Sequence, residues 1–129
     1  MKPKSTFATA INCMDGRVQI PVIEWMKQKY NVQFVDMITE PGPDKILSKE
    51  SSELVNSIRN RVVISIEKHC SEVIAVTGHD DCAGNPVSKE IHIEHIKNSI
   101  ETIKSWNLPV SVIGLWINKD LEVEELNYQ

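Results

Sequence analysis

A chain of 129 residues has room for one domain with a core of its own, and 41% hydrophobic with 25% charged residues is ordinary globular composition. The formal net charge of -4, with lysines scattered rather than clustered, excludes a general nucleic-acid-binding face. No apolar run approaches the roughly 18 residues of a bilayer span, and Thr6, Thr9 and Asn12 interrupt the N-terminal stretch, so neither a membrane segment nor a signal peptide is expected. Three cysteines, an odd number with no export signal, point to reduced thiols in a cytoplasmic protein rather than a disulfide framework.

Residues 7–13, FATAINC, read as a short buried strand. Residues 21–30 read as a helix, with Val22, Ile23, Trp25 and Met26 apolar and Glu24, Lys27 and Lys29 polar. Residues 32–38 are strand-like, and TEPGPDK then breaks the chain, Pro41 and Gly42 suiting the two central positions of a type II turn. A helix is expected over 51–70, where Leu54, Ile58, Val62, Ile66 and Cys70 recur every four residues and mark an apolar face. EVIAVTG, 72–78, is a continuous apolar run of the kind buried on both faces of a sheet. The next helix is expected over 86–106, capped by Asn85 with Pro86 as its first residue, and striped by Ile93, Ile96, Ile100 and Ile103. Residues 110–117 form another apolar strand, NKD signals a turn, and 121–126 alternate as an exposed edge strand does.

Helices alternating with strands imply an α/β fold, one domain over 1–129, with a mostly parallel sheet and helices on both faces. The expected strand order is 2-1-3-4, and the C-terminal strand, after its tight turn, should lie antiparallel at an edge. Ligands in such sheets sit beyond the carboxyl ends of the strands, where the strand order reverses. That reversal would set the residues after the first strand opposite those after the third.

Both places carry chemistry. NCMDGR, 12–17, offers a thiol, a carboxylate and a guanidinium at alternate residues, and TGHDDCAGNP, 77–86, offers an imidazole and a second thiol. Zinc takes thiolate and imidazole ligands, and two cysteines with one histidine are a set that leaves a fourth position open. Cys13, His79 and Cys82 are therefore the candidate ligands. Asp15 and Arg17 form a charge-assisted pair. Three readings stay open for Asp15: orienting a water at the metal, ligating the metal and closing the site, or making a surface ion pair. Between the ligands, one of Asp80 and Asp81 is read as a turn former and the other is left as a proton relay. Cys70 is read as packing on a helix face, and His92 and His95 as boundary histidines flanking the isoleucine stripe.

At these residues the chain resembles the β-class carbonic anhydrases, which carry Cys-x-Asp-x-Arg after the first strand and His-x-x-Cys after the third, here CMDGR and HDDC. GLWINKDLEVEEL also resembles that family's closing β-hairpin. The resemblance implies Zn2+ on Cys13, His79 and Cys82, a catalytic Asp15–Arg17 dyad, reversible hydration of carbon dioxide to bicarbonate, and a homodimer or higher homo-oligomer. Backbone N–H groups near Ala83 and Gly84 are expected to favour the anionic product. Against the family, the chain is expected to lack the N-terminal helical arm, and it reads TEPGPDK where relatives carry Arg-Asn-Ala-Gly, and CAG after the second thiol. KPKST, ahead of the first strand, holds no glutamine. The altered pocket keeps two alternatives in view: hydrolysis of carbon disulfide or carbonyl sulfide on the same zinc, and a non-catalytic zinc protein with Asp15 as a permanent ligand.

Overall fold

A computed structural model describes residues 6–49 and 52–127. The strands are β1 (Phe7–Cys13), β2 (Phe34–Glu40), β3 (Val73–His79), β4 (Ser111–Ile117) and β5 (Val123–Leu126). The helices are α1 (Gln19–Tyr30), α2 (Pro43–Leu47), α3 (Glu53–His69) and α4 (Lys89–Lys104), with a 3-10 turn at Gly16–Val18. The sheet order is β2-β1-β3-β4-β5, parallel throughout except for β5, which runs antiparallel to β4. Order, direction and the antiparallel edge are those expected from the sequence.

The sheet is covered on both faces. On one, Ala8, Ala10, Ala75 and Leu115 pack against Val22 and Met26 of α1. On the other, Ile11, Ile74 and Val76 pack against Ile58 and Val62 of α3 and Ile96, Ile100 and Ile103 of α4. Alternate residues of one strand thus feed two cores, which is why these strands read as unbroken apolar runs. Among the described residues, no helix is long and apolar enough to cross a membrane.

Four local expectations are corrected. α4 begins at Lys89, capped by the Ser88 hydroxyl on the Ile91 amide, not at Pro86; Asn85 is buried and turned inward instead. α3 is capped by Ser52, and its buried face runs through Val55, Ile58, Val62 and Ser65, so Leu54 is exposed; Ser51 lies outside the described residues. Cys70 does not pack in a helix face: it caps α3 at φ 58 and is exposed, a position that ends the helix in the left-handed region. TEPGPDK does more than break the chain. Gly42 takes φ 62, as a turn glycine does, and the short helix α2 follows directly, burying Asp44 and Leu47.

Candidate metal centre

The crevice comes from the ladder itself. β1 and β3 pair from Thr9 opposite Ile74 to Ile11 opposite Val76, so the strand ends that carry Cys13 and His79 lie beyond the paired stretch. A side-chain bridge replaces the ladder there: Thr77 Oγ1 donates to Asn12 Oδ1 at 2.6 Å, and Asn12 Nδ2 donates to the Val18 carbonyl at 3.1 Å. Gln19 Nε2 then ties the following loop down through the carbonyls of Cys13 at 2.6 Å and Asp15 at 2.9 Å. None of these three polar residues was read from the sequence as part of the site. Two sit within apolar strand runs, where a lone polar residue has no spacing signal of its own.

Cys13, His79 and Cys82 are all buried, and their ligand atoms lie within 4.8 Å of one another. The two sulfurs are 3.9 Å apart. Two thiolates about 2.3 Å from one tetrahedral zinc would stand about 3.8 Å apart, so the separation fits. His79 Nδ1 donates to the Asp80 carbonyl at 2.7 Å, which leaves the lone pair on Nε2, and Nε2 is buried without a partner among the described residues. A buried imidazole nitrogen with no partner, facing two thiols, is a donor set that fits a metal ion of the Zn2+ type.

The hydrogen bond from Cys82, together with His79 and the amides of Gly42 and Asp15, lowers the Cys13 thiol pKa against the opposing effect of burial. The same contact and burial push Cys82 up. Burial works against a charged His79, yet its contacts with Cys13 and the Asp80 carbonyl outweigh that and raise its pKa. Cys13 and His79 thus favour their charged forms side by side, while Cys82 favours its neutral thiol. The amides of Gly84 and Asn85 face the Cys82 sulfur as those of Gly42 and Asp15 face Cys13.

Asp15 stands beside the cluster, held by Arg17 at both oxygens. Arg17 Nε donates to Oδ1 at 3.0 Å, an Nη to Oδ2 at 2.7 Å, and the Arg17 backbone amide to Oδ1 at 2.9 Å. The guanidinium holds the Asp15 carboxyl at about 2, below its ordinary 3.8. Arg17 also reaches the Asp81 carboxylate at 3.3 Å and its carbonyl at 3.1 Å. Asp81, at φ 55, is the turn former, while the Asp80 carbonyl orients His79. Ala83 is exposed, and Gly84 is pressed so close to Pro41 and Gly42 that a Cβ there would stand 2.5 Å from the Pro41 carbonyl carbon. A cavity of about 120 Å³ opens beside the cluster between Arg17, His79 and the β4–β5 turn residues Asn118, Lys119 and Leu121. That turn was legible as a turn, but not as a wall of the site.

His92 and His95 are not boundary residues of one kind. His92 is fully buried and bonded to Asp44, whereas His95 is partly exposed and bonded to Asn85. His69, the last residue of α3, pairs with Asp36 of β2.

Comparison with known proteins agrees with the geometry. A family model described as "Putative carbonic anhydrase" matches residues 3–127. The chain belongs to this carbonic anhydrase family. Its fold is also that of solved carbonic anhydrases at low identity. The carbonic anhydrase from Glaciozyma antarctica superposes with TM-score 0.55 at 13% identity, over 97% of this chain and 83% of that one. The β-carbonic anhydrase CcaA gives TM-score 0.56 at 12% identity, over 99% and 79%. The β-carbonic anhydrase CafA of Aspergillus fumigatus gives 0.53 at 10% identity, over 96% and 76%. No curated protein sequence matches the chain.

Proposed function

We propose that this member of the carbonic anhydrase family hydrates carbon dioxide to bicarbonate, with Zn2+ held by Cys13, His79 and Cys82. The observation that carries the reading is the buried trio, two sulfurs 3.9 Å apart and an unpartnered imidazole Nε2, with an ionised carboxylate fixed beside it. A bound Zn2+ would act as a Lewis acid and bring the pKa of a coordinated water toward about 7.

The chain's own residues do the rest. Arg17 binds both oxygens of Asp15 and keeps the carboxylate ionised and oriented. Asp15 is thereby free to accept a hydrogen bond from the attacking water and fix its lone pair toward the substrate carbon. To close the site as a permanent ligand, Asp15 would have to give up three N–H donors from Arg17, which weighs against the non-catalytic reading. The cavity of about 120 Å³ beside Arg17 and His79 leaves room for a small substrate. Ala83, exposed on the turn after Cys82, is where an N–H would meet the anionic product; Gly84 closes that turn behind it.

Assembly as a homodimer in the cytoplasm belongs to the same reading. Its supports are three free cysteines and large apolar side chains left exposed, among them Ile20, Phe34 and Ile64. Sedimentation should show two chains per particle at micromolar concentration, and a monomer would remove the dimer from the account.

Stopped-flow hydration of carbon dioxide by the zinc-loaded protein, at pH 7 and above pH 8, tests the reaction. Turnover that rises with pH is expected. Stoichiometric zinc with no hydration would overturn the assignment, and turnover of carbonyl sulfide in its place would move the substrate.

A further inference from the structure

Among the described residues, three buried side-chain polar atoms have no partner: His79 Nε2, Asp44 Oδ1 and His92 Nε2. The metal centre accounts for the first. The other two belong to one pair, on the face of the sheet opposite His79, which the reaction does not use. His92 Nδ1 donates to Asp44 Oδ2 at 2.6 Å, with both side chains about 1% exposed. Burying such a pair is costly, and removing one partner leaves the other unmatched in the core. An aliphatic pair would fill the space at less cost, so the placement of Asp44 and His92 carries the meaning.

The pair lies against the end of β3 that carries His79, beside the turn that follows Cys82 and the turn at Gly42. It rests on Gly78, the residue before His79, where a Cβ would be 3.0 Å from both Asp44 Oδ2 and His92 Nδ1. Asp44 lies in the first turn of α2, which starts directly after Gly42; the Gly42 carbonyl accepts from the amides of Lys45 and Ile46, and the Gly42 amide faces the Cys13 sulfur. Ser99 of α4 bonds the Asp44 carbonyl at 3.0 Å, fixing the same turn from a second point. On the other side, Asn85 Nδ2 reaches His95 Nδ1 at 3.0 Å and lies 3.5 Å from His92 Nδ1. Asn85 follows Gly84, and both of their amides face the Cys82 sulfur. The two turns touch backbone to backbone: a Cβ on Gly42 would stand 2.7 Å from the Gly84 carbonyl carbon.

We propose that the Asp44–His92 pair, with Asn85, is a positioning device for the metal centre. From behind the sheet it ties the Gly42 turn and the Gly84–Asn85 turn to α4, and so holds the amides that face the two sulfurs and the strand end that presents His79. This rests on the assignment of Cys13, His79 and Cys82 as ligands, and not on the reaction they serve. Polar groups behind first ligands typically change metal affinity by about 10- to 100-fold when removed.

The test is cobalt(II) titration of the metal-free full chain, read from the thiolate-to-metal absorption, beside thermal unfolding of the same variants. Asp44→Leu and His92→Leu should bind cobalt at least about tenfold more weakly and with a broadened absorption band, while circular dichroism stays native. Asp44→Asn, which keeps an acceptor for His92, should restore most of the affinity. Asn85→Ala leaves the pair itself in place and should still weaken binding through the second turn; it serves if the leucine variants do not fold. A pair that only fills the core would lower the unfolding temperature and leave cobalt affinity and band shape unchanged in every folded variant, and that result overturns the proposal. Cys13→Ser is the control. If it binds cobalt as wild type does, the ligand assignment itself fails; if it loses cobalt while the other variants do not, only the positioning role fails.

Discussion

Polar networks occupy both ends of β1, and they differ in one respect. At the amino end, Asp36 Oδ2 receives His69 Nδ1 at 2.6 Å and Ser65 Oγ at 2.7 Å, Thr9 joins Ser65 at 2.6 Å and Ser71 at 2.7 Å, and Ser71 ends the chain on the Val73 carbonyl. The buried members of that network have partners. At the carboxyl end, Asn12 and Thr77 satisfy each other, yet His79 Nε2 between two thiols is left without one. A closed network ties α3 and the strands together. An open one that faces two buried thiols is a candidate site for a group that is not part of the chain.

The comparison breaks most sharply at the ligands. Cys13→Ser or His79→Ala should lose most of the bound zinc and the hydration activity with it, whereas Cys70→Ala, exposed at the end of α3, should change neither; zinc content by mass spectrometry of the metal checks this. Arg17→Ala comes next. It frees Asp15 from its orienting donors, so kcat should fall by roughly 100-fold, the scale of a misplaced catalytic group, while zinc content holds. Wild-type turnover in Arg17→Ala across pH 7 to above 8 would exclude the dyad.

Thr9→Val tests the opposite end. It removes the hydroxyl shared by Ser65 and Ser71 and leaves buried partners unmatched, which should cost about 1–3 kcal/mol in denaturant unfolding. Zinc affinity should not move. A loss of zinc there would mean that the two ends of β1 are coupled and the distinction between them is false.

The smallest effect is a titration. Arg17 places the Asp15 carboxyl at about 2 against an ordinary 3.8. A depressed carboxyl favours the folded state above its unfolded pKa, and that contribution is lost as pH falls from about 4 toward about 2. Carbon-13 NMR of the Asp15 carboxyl should show a midpoint near 2 that returns toward 3.8 in Arg17→Ala. The same midpoint in both proteins would remove Arg17 as the cause.

The sheet was legible because buried parallel strands make unbroken apolar runs and the turns between them carry Gly and Pro. The candidate ligands were legible because Cys13 and the His79–Cys82 pair are chemically rare and fall directly after two of those runs. Helix starts were harder. Asn85 and Pro86 make a convincing cap in the sequence, but Asn85 is taken by His95 across the core, and Ser88 caps the helix instead. Asp44 was hidden for a similar reason. A carboxylate in a Pro-Gly-Pro-Asp turn reads as solvent-facing, and only tertiary packing brings His92 to it. Cys70 followed the four-residue spacing of α3 to its last turn, where the backbone changes hand and the spacing stops predicting a face.

X-ray absorption at the zinc edge of the loaded protein tests the central claim most directly. If Cys13, His79 and Cys82 hold one ion, the first shell will contain two sulfurs near about 2.3 Å and nitrogen or oxygen near about 2.0–2.1 Å. A shell of nitrogen and oxygen alone, or one containing a single sulfur, would contradict it.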